Sequence, residues 1–264
     1  MYRQLEKIIQ DQNHYFTQDN DMLVALVTGA NKGLGLETVR QLAQQGFTVL
    51  LGSRDIERGL RAAEKVRAEG LNVEFIELDM ERPEQFPVVA EYINRVYGHL
   101  DVLVNNAGVQ IESDTWQTNN TGTISPAVLR RTFDINFFGM VELTQALLPL
   151  LRKAPAARIV NLTSILASLS MHATPGSNTY NTKVLAYNAS KAAVNAFTIH
   201  LAHLLKDTSI KVNSAHPGWV KTDMGGAGAS LDVADGAATT IALATLGSEG
   251  PTGAYVYRNT TLPW

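Results

Sequence analysis

The chain has 264 residues, no cysteine and a formal net charge of -3. That length suits one larger α/β domain whose core needs no staples, and the lack of thiols excludes a disulfide framework, thiolate metal sites and cysteine nucleophiles. With 45% hydrophobic and 18% charged residues, the chain offers no basic surface for nucleic acid or an anionic membrane, so a small molecule is the expected partner.

Residues 1–21 are polar, with Leu5, Ile8 and Ile9 at helical spacing, and read as an N-terminal arm without assigned chemistry. They hold no secretory h-region, and no run approaches the 18 or more apolar residues of a membrane span, so the expected location is cytoplasmic. From Met22 onward, strand-like runs at 23–28, 48–52, 73–78, 102–105, 158–162 and 211–214 alternate with helical patterns. These begin near Gly33, Glu57, Glu84, Pro126, Ala186 and Asp232. The β-α-β-α order predicts an α/β fold over residues 22–264, with a doubly wound parallel sheet of about seven strands and helices on both faces. Strands such as Leu23-Val24-Ala25-Leu26-Val27 are continuously apolar, as a strand covered on both faces must be. Residues 110–125 and 166–182 interrupt the rhythm, and both follow strands. Ligands bind beyond the carboxyl ends of such strands, so both are candidate pocket walls.

After the first strand comes Thr28-Gly29-Ala30-Asn31-Lys32-Gly33-Leu34-Gly35, and then a helix. Glycines let the backbone turn sharply and approach a pyrophosphate, whose charge is favoured at a helix N-terminus. The second strand ends Leu51-Gly52-Ser53-Arg54, where an acidic residue would bind the ribose hydroxyls of NAD. A guanidinium there suits a 2′-phosphate instead, and Lys32 and Arg58 add positive charge, so NADP(H) is favoured. Asp55 is read as a helix N-cap.

Tyr187 and Lys191 are four residues apart at the start of a helical stretch, hence on one face. An ammonium beside a phenol is expected to lower the phenol's pKa toward values useful for proton transfer. Ser164 follows the fifth strand, at the edge where a ligand is expected. Asn136 lies in an apolar helical stretch, where its amide must find partners.

Six separated segments in one order resemble the short-chain dehydrogenase/reductase family: residues 28–35, Asn105-Asn106-Ala107-Gly108, Asn136, Ser164, Tyr187-Asn188-Ala189-Ser190-Lys191, and Pro217-Gly218-Trp219-Val220-Lys221-Thr222. The resemblance runs from Met22 to the C-terminus, and 31–33 with 53–59 look most like its carbonyl-reductase branch. It implies a Rossmann fold with Tyr187 as general acid/base, Lys191 holding the nicotinamide ribose, Ser164 orienting the carbonyl and Asn136 supporting a relay water. The cofactor would meet Gly29, Asn31, Lys32, Gly33, Leu34, Gly35, Arg54, Arg58, Asp79, Met80, Asn106, Ala107, Gly108, Pro217, Gly218, Val220 and Thr222, as well as Tyr187 and Lys191. Asp79 would bind the adenine amino group. No metal is implied, and His200 with His203 lacks a third ligand.

The implied activity is reduction of a ketone or aldehyde, or oxidation of the alcohol, with NADP(H). Val109, Trp116, Ile165, Leu166, Met171 and Trp219 are candidate walls for a moderately hydrophobic substrate, and residues 223–229 are glycine-dense enough for a lid. Ser164 and Tyr187 are further apart than in simple members, so the extra residues within 166–186 either cover the site or obstruct dimer formation; monomer or homo-oligomer stays open. A non-catalytic NADP(H) sensor would need the glycine turn only. A related epimerase or dehydratase would share the Tyr and Lys but need a larger C-terminal region.

Overall fold

The computed structural model describes residues 22–116 and 119–264; the arm assigned to residues 1–21 lies outside them. In chain order the elements are β1 (Val24–Val27), α1 (Gly33–Gln44), β2 (Thr48–Ser53), α2 (Ile56–Arg67), β3 (Val73–Glu77), α3 (Gln85–Val96) and β4 (Val102–Asn105). Then come α4 (Pro126–Phe133), a π-helical turn (Asp134–Phe138), α5 (Gly139–Leu151), β5 (Arg158–Leu162), a 3-10 turn (Ile165–Ala167) and α6 (Leu169–Ala173). The chain continues through α7 (Leu185–Leu204), β6 (Lys211–Ala215), α8 (Val233–Ala244), β7 (Tyr255–Tyr257) and β8 (Thr260–Thr261).

The strands form one sheet in the order β3-β2-β1-β4-β5-β6-β7-β8. All neighbours are parallel except β7 and β8, which pair antiparallel. The strand beyond the expected seven is thus a two-residue return on the edge. Strand period 2 splits the apolar runs between two cores: Val24, Leu26, Leu50, Leu103 and Ile159 pack on one face, whereas Ala25, Val27, Val49, Leu51 and Val160 pack on the other. Strand order reverses between β1 and β4, which opens a crevice at their carboxyl ends. Among the described residues no helix is long and apolar enough to cross a membrane.

Candidate active site

The glycine turn joins β1 to α1 at this crevice. Gly29 has φ +62°, and a Cβ there would lie 2.8 Å from the Ala107 Cα. A Cβ on Gly35 would lie 2.5 Å from the Asn106 Nδ2 and 2.7 Å from the Gly29 carbonyl oxygen. The turn therefore packs directly on the exit of β4, where Asn106 Nδ2 donates to the carbonyls of Thr28 (2.7 Å) and Gly29 (3.1 Å). Thr28 Oγ1 accepts from the amides of Asn106 and Ala107 in return. Asn106 and Ala107, expected to meet a cofactor, are thus also what hold the turn's shape. Lys32 occupies the N-cap position of α1 without a capping side-chain bond, so the first-turn amides, with Asn31, Gly33 and Leu34 around them, suit an anion. The Pro217–Thr222 stretch comes up beside them, because Thr222 Cγ2 would be 3.3 Å from a Cβ on Gly33.

Each cation expected near a 2′-phosphate already has a carboxylate partner. Lys32 Nζ is 2.5 Å from Asp223, Arg54 is 3.5 Å from Glu81, and Arg58 is 3.2 Å from Asp55. The Lys32 hydrogen bond and charge hold the Asp223 carboxyl below its ordinary range, and Arg58 adds to the effect. Glu81 is lowered chiefly by its hydrogen bond from Arg131, with Arg54 a smaller charge effect. Asp55 does cap α2, accepting from the Arg58 amide at 2.9 Å. Asp79 Oδ1 accepts from the Glu81 amide, and Met80 is buried.

The catalytic candidates converge beyond β5. Tyr187 is the third residue of α7 and Lys191 lies one turn deeper; both are buried. Lys191 Nζ donates to the Leu162 carbonyl at 2.9 Å and sits 6.0 Å from the Tyr187 ring centroid. A Cβ on Gly108 would lie 3.2 Å from that Nζ and 3.3 Å from Asn136 Oδ1, so Gly108, Lys191 and Asn136 meet at one point. Burial pushes the Tyr187 phenol up to about 12, opposed only by a hydrogen bond with Ser164, and pulls Lys191 down to about 8. This corrects the expectation that Lys191 depresses the phenol. Burial is the largest influence on the phenol, and the Lys191 ammonium is committed to the Leu162 carbonyl instead.

Asn136 stands in the π-helical turn, its amide accepting from the Val109 amide (2.7 Å) and donating to the Val109 carbonyl (2.9 Å) and Ser190 Oγ (3.0 Å). That leaves one acceptor lone pair for a water. Ser164 Oγ accepts from the Leu166 amide (3.2 Å), capping the 3-10 turn.

Of the candidate walls, Trp116 packs edge-on to the Tyr187 ring (centroids 5.3 Å, 76°), and its Nε1 donates to the Met224 carbonyl at 3.3 Å. Trp219 Nε1 donates to the Gly225 carbonyl at 2.9 Å, so two indoles hold adjacent carbonyls of the glycine-dense segment. The extra residues after Ser164 fold into the 3-10 turn and α6, tied by His172 Nε2 to the Leu166 carbonyl. Two residues escaped the sequence reading. Glu112 accepts from the amides of Ala186 and Tyr187, and Tyr255 donates its phenolic hydrogen to the Ser164 carbonyl. Both bind main-chain atoms distant in sequence, and such pairings leave no local pattern. His216, read from the sequence as a structural residue at a strand end, directly follows β6 and accepts at Nδ1 from the amides of Ile165 (3.2 Å) and Gly218 (3.4 Å).

Comparison with known proteins agrees with this fold. The family model described as short chain dehydrogenase matches residues 23–230. The chain is 34% identical to "Short-chain dehydrogenase/reductase 1" of Saponaria officinalis, over 91% of this chain and 95% of the relative. It is 33% identical to "Carbonyl reductase [NADPH] 1" of Mus musculus, over 91% of this chain and 98% of the relative. Among solved structures, the carbonyl reductase Sniffer of D. melanogaster is 31% identical, covers 92% of this chain and 100% of its own, and superposes with a TM-score of 0.78.

Proposed function

Since the chain belongs to the short-chain dehydrogenase family, we propose that it is an NADPH-dependent reductase of a moderately hydrophobic ketone or aldehyde, with Tyr187 as the proton donor. The observation that carries this reading is the meeting of buried Tyr187 with the Ser164 hydroxyl and Lys191 at the carboxyl end of β5. The mouse and fly relatives, both named carbonyl reductases, the former with NADPH, support it. The glycine turn suits a dinucleotide: side chains at Gly29 and Gly35 are excluded by Ala107 and Asn106, and the α1 N-terminus carries no capping side chain.

Bound NADPH would supply the hydride. The backbone of residues 29–35 would hold the pyrophosphate, with Lys32, Arg54 and Arg58 toward the 2′-phosphate and Asp79 toward the adenine. Gly108 and the 217–222 stretch would line the nicotinamide half, and Lys191 would hold its ribose. Ser164 orients the carbonyl oxygen. Negative charge develops on that oxygen as the carbon is reduced, and the Tyr187 O–H donates its proton there, leaving the alcohol. A phenol pushed up to about 12 keeps that proton at neutral pH, which suits the reductive direction.

The test is NADPH oxidation, with NADH in parallel, across aromatic aldehydes, diketones, quinones and cyclic terpenoid ketones. The expected result is turnover with an NADPH preference, with Tyr187→Phe lowering kcat by ~100-fold or more while leaving NADPH affinity within about twofold. Near-normal turnover by Tyr187→Phe refutes the assigned donor, and tight NADPH binding without turnover on any carbonyl makes the protein a sensor.

A further inference from the structure

Helix α7 begins without a cap of its own. The residue before it, Val184, offers no hydrogen-bonding side chain, and it, Ala186 and Tyr187 are all buried. The first amides of a helix have no partner within it, and buried ones left open destabilise the first turn. Here the carboxylate of Glu112 accepts from both, at 2.9 Å from the Ala186 amide and 2.8 Å from the Tyr187 amide, across 74 and 75 residues of sequence. A carboxylate at this end also meets the positive pole of the helix.

Glu112 stands on the segment that leaves β4 past Gly108 and Val109. The same segment delivers Trp116 edge-on to the Tyr187 ring. Tyr187 is thus gripped twice from one piece of chain, at its main-chain amide and at its ring, whereas Lys191 is secured separately by the Leu162 carbonyl.

We propose that Glu112 is a positioning residue for the proton donor, clamping the first turn of α7 so that the Tyr187 phenol is held at the substrate oxygen. The inference rests on Tyr187 being that donor. Loss of the clamp frays the turn that carries Tyr187 and leaves Lys191, one turn deeper, and the glycine turn in place. The effect falls on the chemical step and spares cofactor binding.

The experiment measures kcat, carbonyl KM and NADPH Kd for Glu112→Ala, Glu112→Gln and Tyr187→Phe, and for Glu112→Ala combined with Tyr187→Phe. Misplacing a reacting group by about 1 Å costs up to ~100-fold, so Glu112→Ala is expected to lower kcat by ~10- to 100-fold with NADPH Kd within about twofold. Glu112→Gln keeps one acceptor oxygen for the helix and is expected to recover part of the loss. In the Tyr187→Phe background, Glu112→Ala is expected to lower the residual rate by less than about twofold, because the group it positions is gone. A rise in carbonyl KM with kcat unchanged would make Glu112 a pocket-wall support and overturn the proposal. So would an equal fold-loss in both backgrounds. Should Glu112→Ala not fold, Glu112→Gln decides, and an unchanged kcat overturns the proposal. Full turnover by Tyr187→Phe sinks the functional reading itself, whereas an inactive Tyr187→Phe beside a fully active Glu112→Ala sinks only the clamp.

Discussion

His216 is the buried group whose titration bears most directly on the frame of the site. Its Nδ1 accepts from the amides of Ile165 and Gly218, tying the turn after Ser164 to the stretch that reaches the glycine turn, and its ring lies 5.0 Å from that of Tyr257. Accepting at Nδ1 requires the neutral ring, and burial lowers the pKa from 6.5 to about 4. The unfolded chain therefore binds a proton between those values that the folded chain refuses. Stability from this site is complete above about pH 6.5 and is lost as pH falls through about 4. At about 1.4 kcal/mol per pH unit, the interval bounds the effect at roughly 3 kcal/mol, of which about 2 kcal/mol is lost between pH 7.5 and pH 5. His216→Asn retains an acceptor oxygen but cannot titrate. Urea unfolding of both proteins at the two pH values is expected to give the variant a loss about 2 kcal/mol smaller than that of the wild type. Equal losses, within about 0.5 kcal/mol, would refute the buried neutral imidazole.

Two further outcomes follow from the same geometry. In the free protein Lys191 titrates at about 8 and Tyr187 at about 12, so kcat/KM for carbonyl reduction is expected to be level below pH 8 and to fall about tenfold per pH unit above it, as the ammonium is lost; a profile level to pH 10 contradicts a required charge on Lys191. Gly35→Ala puts a methyl 2.5 Å from Asn106 Nδ2 and 2.7 Å from the Gly29 carbonyl, and is expected to cost about 1–3 kcal/mol of stability and to weaken NADPH binding by ~10-fold or more, read by urea unfolding and fluorescence titration. Unchanged affinity would place the dinucleotide elsewhere.

The parallel sheet was legible because strands such as β1 and β2 send alternate residues into two separate cores, so their central positions are apolar on both faces. β8 was not, since two exposed threonines returning on an edge carry no hydrophobic pattern. The spacing of Tyr187 and Lys191 correctly predicted a shared helix face, yet the direction of the phenol's titration was misjudged, because spacing reports proximity and says nothing of burial. The π-helical turn carries Asn136, whose amide reaches the Val109 main chain, 27 residues back, a pairing no local pattern records. Glu112 left only a negative signal: a long helix beginning after valine, with no capping side chain, needs an acceptor from somewhere else.

The cations were legible and their partners were not. Lys32 meets Asp223 across 191 residues of sequence, a distance over which no local pattern informs. This pairing bears on how the proposed cofactor is told apart from its unphosphorylated form. Lys32 and Arg58 both act on Asp223, so that carboxylate relieves the repulsion two neighbouring cations would otherwise feel. Its side chain is 81% exposed and that of Lys32 is 58% exposed; ion pairs so open to water are weakly held. A 2′-phosphate carries more charge and more acceptor oxygens than one carboxylate, so at the proposed position it would displace Asp223 at little cost. A ribose hydroxyl has no charge with which to compete and leaves the pair intact. If the 2′-phosphate sits on these cations as proposed, selectivity at this end of the site would be an exchange of anions on a standing cation cluster, and the pair's exposure would make the exchange easy.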